Sequence, residues 1–196
     1  VDWYCPQNRG QLSIPALHIP KKLKRMVKKM EISGAPYEIR IDTEFEAVIK
    51  NCSVTEEDSP LRAETWINKE ITEAFCALYK LGHAHSVECW HGDRLVGGLY
   101  GVCIAGGFFG ESMFSRQTDA SKIALTYLVA RLKFAGFALL DCQFATDHLA
   151  RFGLKEIPRA TYHAKLQTAL VQNADFHLMP VNLSPVEVLH AVGHKS

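Results

Sequence analysis

Residues 85–114 carry three stretches of strand character joined by two short turns, and this run constrains the fold more than any other feature. Residues 85–90 (HSVECW) read as a strand, His91-Gly92-Asp93 as a turn, residues 95–104 as a long strand and residues 108–114 as a third. Strands linked this tightly form an antiparallel meander. Ahead of it, residues 67–81 repeat apolar side chains at helical spacing until Gly82 stops them. After it, residues 120–134 form a strongly apolar helix with Ile123, Leu125, Tyr127, Leu128 and Leu132. Residues 137–144 form a buried strand, and residues 148–152 and 159–170 short helices. Earlier in the chain, residues 37–42 alternate like a strand and residues 45–49 continue as a short helix. Residues 54–62 read as an exposed loop, and the tail beyond Val171 shows no clear period. Helix, three antiparallel strands, helix, strand, helix is an α+β order: a mixed, largely antiparallel sheet flanked by helices.

Composition narrows the class. With 47% hydrophobic and 22% charged residues in 196, the chain is globular rather than disordered or fibrous. The longest uncharged stretch, residues 95–110, is 16 residues long and holds six glycines, too short and too glycine-rich for a bilayer helix. The first ten residues, VDWYCPQNRG, show no signal-peptide pattern. Cys76, Cys89, Cys103 and Cys142 sit in apolar runs and no CxxC pair occurs, so a reducing, cytoplasmic setting is expected.

Net charge is +1, but residues 1–30 hold seven basic residues against Asp2 alone, leaving −5 for the rest. Six of the seven fall in residues 21–29, where Leu23, Met26, Val27 and Met30 make one apolar helix stripe and Pro20 suits the first helical position. Such a helix is either a solvated face or a contact for a polyanion. Phosphate is the natural candidate and an anionic membrane surface the rival.

The element order resembles the acetyl-CoA-dependent N-acetyltransferases, which grip the cofactor pyrophosphate with a Gly-rich loop ahead of the helix after the long strands. The corresponding loop here, Ser115-Arg116-Gln117-Thr118-Asp119-Ala120-Ser121, has no glycine to let backbone amides approach phosphate. An acyl carrier other than coenzyme A is therefore expected. Three strings, LGHAHSVE (81–88), GFFGESMFS (107–115) and LDCQ (140–143), with Thr65-Trp66-Ile67 and Glu156-Ile157-Pro158-Arg159, resemble the bacterial leucyl/phenylalanyl-tRNA–protein transferases. The resemblance runs from about Trp3 to about Leu170.

The resemblance implies an N-acetyltransferase-like fold with a small basic amino-terminal arm. It implies transfer of Leu, Phe or sometimes Met from aminoacyl-tRNA to proteins beginning with Arg or Lys, without metal or coenzyme. The product would be a degradation signal read by a Clp-protease adaptor. Family members carry an amino-terminal segment ahead of the position of Trp3, with an aromatic residue that stacks on the terminal adenosine. This chain starts after it, so a fragment or weakened tRNA binding is expected. Residues 1–62 are then a remnant of the amino-terminal domain, residues 63–170 the catalytic domain and residues 171–196 a tail. The rival readings are an acetyl-CoA-dependent N-acetyltransferase and an inactive remnant that binds tRNA.

Each residue carries an alternative. Asp141 and Gln143 lie two apart on a strand and are expected to face one side. The resemblance implies that this pair activates the attacking amine, and the chemistry of the two side chains makes Asp141 the expected electrostatic partner and Gln143 the expected positioner; a buried Asp held by backbone amides is the plain alternative. Glu111 matches the mouth of the acyl pocket, where a carboxylate suits a basic acceptor; otherwise it is a surface Glu. Leu99, Phe108, Leu125 and Leu128 match the pocket for the Leu or Phe side chain, and core packing would look the same in sequence. Trp66 is either a stacking partner for the terminal adenine or a core indole. Lys21, Arg25, Lys28 and Lys29 match positions taken to meet tRNA phosphates. Trp3, Tyr4 and Pro6 match a stretch expected to support structure. His83 and His85 would share a strand face, but no ligand-spaced Cys or carboxylate stands beside them, so no metal is expected. Ser112 and Ser115 lack a His–Asp partner order for a hydrolase triad.

Overall fold

A computed structural model describes residues 6–32, 36–54 and 66–193. Among these residues, seven strands form one sheet. They are β1 (Asn8–Leu12), β2 (Glu38–Ile41), β3 (Ala84–His91), β4 (Arg94–Ile104), β5 (Gly107–Ser115), β6 (Leu139–Gln143) and β7 (Lys155–Pro158). Their order across the sheet is β2-β3-β4-β5-β6-β1-β7, and only β5 and β6 run parallel. The mixed, largely antiparallel sheet is thus as the sequence predicts. The stretch set apart as residues 1–62 contributes β1 and β2 to that same sheet, β1 between β6 and β7.

The meander β3-β4-β5 explains the glycine-rich run. A Cβ on Gly97 would lie 2.5 Å from the Ala120 Cβ, and one on Gly101 2.4 Å from the Phe109 carbonyl oxygen. These glycines let a helix and a neighbouring strand approach closely.

The helices are α1 (Lys21–Lys29), α2 (Phe45–Ser53), α3 (Lys69–Lys80), α4 (Ala120–Phe134), α5 (Asp147–Ala150), α6 (Arg159–Leu170) and α7 (Pro185–Gly193). None is long and apolar enough to cross a membrane among the described residues. The sequence places α3 well: the Asn68 side chain accepts from the Ile71 N–H at its start, and Gly82, at φ +77°, ends it. Helix α4 is buried almost all round, so it reads as apolar without a single stripe. It packs with α1 and α7 on one face, where Leu23, Val27, Leu125, Leu128, Leu140, Val188 and Val192 share a core. On the other face α2 and α3 enclose Phe45, Val48, Ile49, Tyr100 and Phe114.

The carboxylate of Glu88, fully buried, ties β3 to α2. It accepts from the Thr43 and Glu44 N–H groups, the Ser86 hydroxyl and the Trp90 indole. The aperiodic tail is held by Arg131, whose buried guanidinium donates to the carbonyls of Phe176 (2.9 Å) and Met179 (2.8 Å). The tail then forms α7 against α4.

Candidate active site

The parallel pair is short. β5 and β6 are in register only over Gly107–Phe109 and Leu139–Asp141, after which β5 runs six residues further and the strands part. A cavity of about 690 Å³ opens there, within the range of small-molecule sites. Leu99 and Tyr100 both line it. Adjacent residues of a strand point to opposite faces, so the cavity reaches both sides of the sheet through the split.

Its apolar wall includes Leu99, Leu125, Leu128 and Leu140, and Trp66, 51% exposed, stands at its rim. Three of the four expected acyl-pocket residues thus meet. Phe108 does not line the cavity: it is fully buried and its ring stacks on Phe176 at 5.8 Å between centroids. Phe108 belongs to the part of β5 that still pairs with β6, so its side chain packs in the closed core and not in the gap.

Glu111 faces the cavity for a local reason. Tyr100 pairs with Ser112 and Gly101 with Gly110, leaving Glu111 as the extra residue of a β-bulge. Its carboxylate accepts from the Gln143 side-chain amide at 3.0 Å, across the split. Burial, with the Asp141 charge adding to it, raises the Glu111 carboxyl above its ordinary range, against the Gln143 hydrogen bond and Arg9, which lower it.

Gln143 sits at φ +62°, a left-handed conformation costing about 1–3 kcal/mol for a residue with a side chain. Asp141 supports it: its Oδ1 accepts the Gln143 N–H at 2.8 Å. The Gln143 amide nitrogen also donates to the Gly110 carbonyl at 3.3 Å. Asp141 itself is fully buried and does not line the cavity. Arg9 Nε stands 3.0 Å from both its oxygens and Nη2 2.9 Å from Oδ2, and the Tyr162 hydroxyl donates to Oδ2 at 2.8 Å. The expected pair therefore divides: Gln143 meets the cavity and Asp141 lies behind it. The plain alternative of a backbone-held carboxylate also falls short, because side chains of β1 and α6 supply most of its donors.

Sequence reasoning missed four residues of this neighbourhood. Arg9 was counted among the charges of the basic arm, and Tyr162 shows only as one aromatic on a short helix. Tyr100 lines the cavity, and its hydroxyl is the one buried side-chain polar atom without a hydrogen-bond partner among the described residues. His148, also lining, is held below the usual imidazole value by burial, with Lys122 and Arg151 adding to that effect. Only an alternating or helical period would have flagged them, and neither marks a polar group aimed inward.

Lys21, Arg25, Lys28 and Lys29 are all exposed on α1, which buries Leu23 and Val27; none of the four lines the cavity. Trp3 and Tyr4 lie outside the described residues, and Pro6 is half-buried. His83 precedes β3, but His85 joins a group the sequence does not announce. Asp42 Oδ2 is 2.7 Å from His85 Nδ1 and 3.4 Å from His177 Nε2, the three ligand atoms lying within 4.8 Å of one another. At 2.7 Å the first pair is a hydrogen bond, closer than two ligands of one tetrahedral zinc ion would stand.

The comparisons with known proteins point one way. The family model described as leucyl/phenylalanyl-tRNA protein transferase matches residues 11–167. A relative from Phenylobacterium zucineum is 53% identical over 174 residues, covering 89% of this chain and 75% of its own length. One from Caulobacter vibrioides is 49% identical over 191 residues, covering 97% and 84%, and one from Paramagnetospirillum magneticum is 50% identical over 174, covering 89% and 79%. All three carry the name leucyl/phenylalanyl-tRNA–protein transferase. A model match across most of the chain, with half its residues shared by such relatives, means that the chain belongs to the leucyl/phenylalanyl-tRNA–protein transferase family.

Proposed function

We propose that this chain transfers Leu, Phe or Met from aminoacyl-tRNA to the α-amine of proteins that begin with Arg or Lys, marking them for a Clp-protease adaptor. The observation that carries this reading is the pairing of Glu111 and Gln143 at the edge of an apolar cavity of about 690 Å³. The acyl side chain lies against Leu99, Leu125 and Leu128. A hydrophobic wall discriminates by only about 1–3 kcal/mol per methylene, so it tolerates Leu, Phe and Met alike. Trp66 stacks on the terminal adenine, and Lys21, Arg25, Lys28 and Lys29 hold phosphates further along the tRNA. The fold is read as N-acetyltransferase-like, on its mixed, largely antiparallel sheet flanked by helices.

The reaction is ester aminolysis. The acceptor nitrogen attacks the aminoacyl carbonyl carbon, an N–C bond forms, and the C–O bond to the tRNA ribose breaks. The nitrogen loses a proton and the ribose oxygen gains one. Glu111 suits the first transfer, because a carboxyl raised by burial binds a proton more readily than one in water. It also attracts the positive charge of an Arg or Lys terminus. Gln143 has its amide nitrogen committed to Glu111 and Gly110, which leaves its amide oxygen to orient the amine. Asp141 acts through Gln143.

A thermal-shift comparison tests the donor assignment. An amide-linked phenylalanyl-adenosine at a hundredfold its Kd adds about 2.7 kcal/mol and raises Tm by about 5–10 °C. Acetyl-CoA leaves Tm unchanged. Stabilisation by acetyl-CoA and not by the adenosine compound would contradict the reading.

A further inference from the structure

An ionised carboxylate offers about four lone-pair sites. At Asp141 they are taken. Oδ1 accepts from the Gln143 N–H and shares Arg9 Nε, while Oδ2 accepts from Arg9 Nη2 and the Tyr162 hydroxyl. The residue is fully buried and outside the cavity lining. It therefore has no site left for a substrate amine. Toward the cavity it accepts the Gln143 N–H, which it caps in a left-handed turn.

Two side chains from distant segments make this arrangement. Arg9 comes from β1 and Tyr162 from α6, and the Arg9 guanidinium lies 5.6 Å from the centre of the Tyr162 ring. Gly10 brings the backbone of β1 close to the same turn, since a Cβ there would lie 2.8 Å from the Phe144 carbonyl carbon.

We infer that Arg9 and Tyr162 are positioning residues of the transfer reaction: they clamp Asp141 against the end of β6, and Asp141 in turn aims Gln143 at Glu111. The inference rests on the function proposed above. The planar guanidinium fork spans both carboxylate oxygens, and lysine cannot reproduce it. The phenol fills the last acceptor site without adding charge.

The test is steady-state transfer from leucyl-tRNA to an Arg-initiated peptide by the full chain and by Arg9→Lys, Arg9→Met and Tyr162→Phe. Each variant is expected to lose about ten- to a hundredfold in kcat, the range for removing a group that orients a functional side chain. KM for aminoacyl-tRNA stays unchanged, because neither residue lines the cavity. The acid limb of the pH–rate profile separates charge from position. Among the described residues, Asp141, Arg9 and Tyr100 interact electrostatically with Glu111, and Arg116 and His148 line the same cavity. Arg9→Met removes a positive charge that lowers the Glu111 carboxyl and moves the limb to higher pH, while Arg9→Lys leaves it in place.

The inference is overturned if kcat stays within about twofold of wild type. It is also overturned if kcat falls only with the folded fraction while the acid limb of Arg9→Met stays put. Should Arg9→Met fail to fold, Tyr162→Phe, which deletes a single oxygen, decides alone. A wild-type chain that transfers nothing overturns the functional reading and this inference together; a wild type that transfers alongside unaffected variants overturns this inference only.

Discussion

Replacing Glu88 with Gln should cost this protein a large part of its stability. The carboxylate is fully buried, yet four donors satisfy it: Thr43 N–H at 2.9 Å, Glu44 N–H at 2.8 Å and the Ser86 hydroxyl at 2.8 Å on Oε1, and Trp90 Nε1–H at 3.1 Å on Oε2. In Glu88→Gln, an NH2 in place of Oε2 sets donor against donor at Trp90, at about 1–3 kcal/mol for the unsatisfied pair. The lost charge weakens the three remaining bonds and removes an anion from the amino-terminal end of α2, another 0.3–2 kcal/mol or about that. The sum is about 1–5 kcal/mol, and at about 2–4 °C per kcal/mol for a domain of this size Tm falls by about 3–20 °C. Differential scanning calorimetry reads the shift, with Glu38→Gln, exposed and paired with Arg40, as the control of small effect. A Glu88→Gln protein melting within about 2 °C of wild type refutes the hydrogen-bond accounting.

Other outcomes follow from the same geometry. Leu125→Ala enlarges the acyl wall and shifts relative transfer rates from Leu toward Phe by about tenfold, whereas Phe108→Ala destabilises by about 3–5 kcal/mol and leaves the preference alone; competition between the two aminoacyl-tRNAs reads the first and denaturant unfolding the second. Reversing Lys28 and Lys29 to Glu weakens tRNA binding and lowers the slope of log K against log salt by about two or more, measured by filter binding across a salt series. Transfer falls as pH drops through the raised pKa of Glu111, and Glu111→Gln removes that limb. The folded chain holds the Glu111 proton to higher pH than the unfolded chain does. Stability from this group is therefore full below the unfolded value and declines as pH rises to the folded one. Glu111→Gln abolishes that decline, which Tm measured against pH will show.

The meander, α3 and α4 are legible in the sequence because each repeats its own period over many residues. Strand β1, with Asn8, Arg9, Gly10 and Gln11 in five residues, lacks any such period; tertiary pairing with β6 and β7 on both sides makes it a strand. Strand β7 is four residues ending in Pro158, and α7 is held by α4 and by the Arg131 contacts ahead of it. At the site, types were readable and directions were not. Two-residue spacing put Asp141 and Gln143 on one side, but the left-handed turn at Gln143 and the Arg9 clamp send them to different partners. The bulge that aims Glu111 is a register shift between two strands, which no single strand records. Phe108 and Leu99 look alike as apolar strand residues; the point where β5 leaves β6 decides which of them meets the cavity.

The most direct measurement offers this chain leucyl-tRNA with two peptides that differ only in beginning with Arg or Asp, and reads added Leu by mass spectrometry. The account predicts one Leu on the α-amine of the Arg peptide and none on the Asp peptide. Equal modification of both peptides, or of neither, would contradict it.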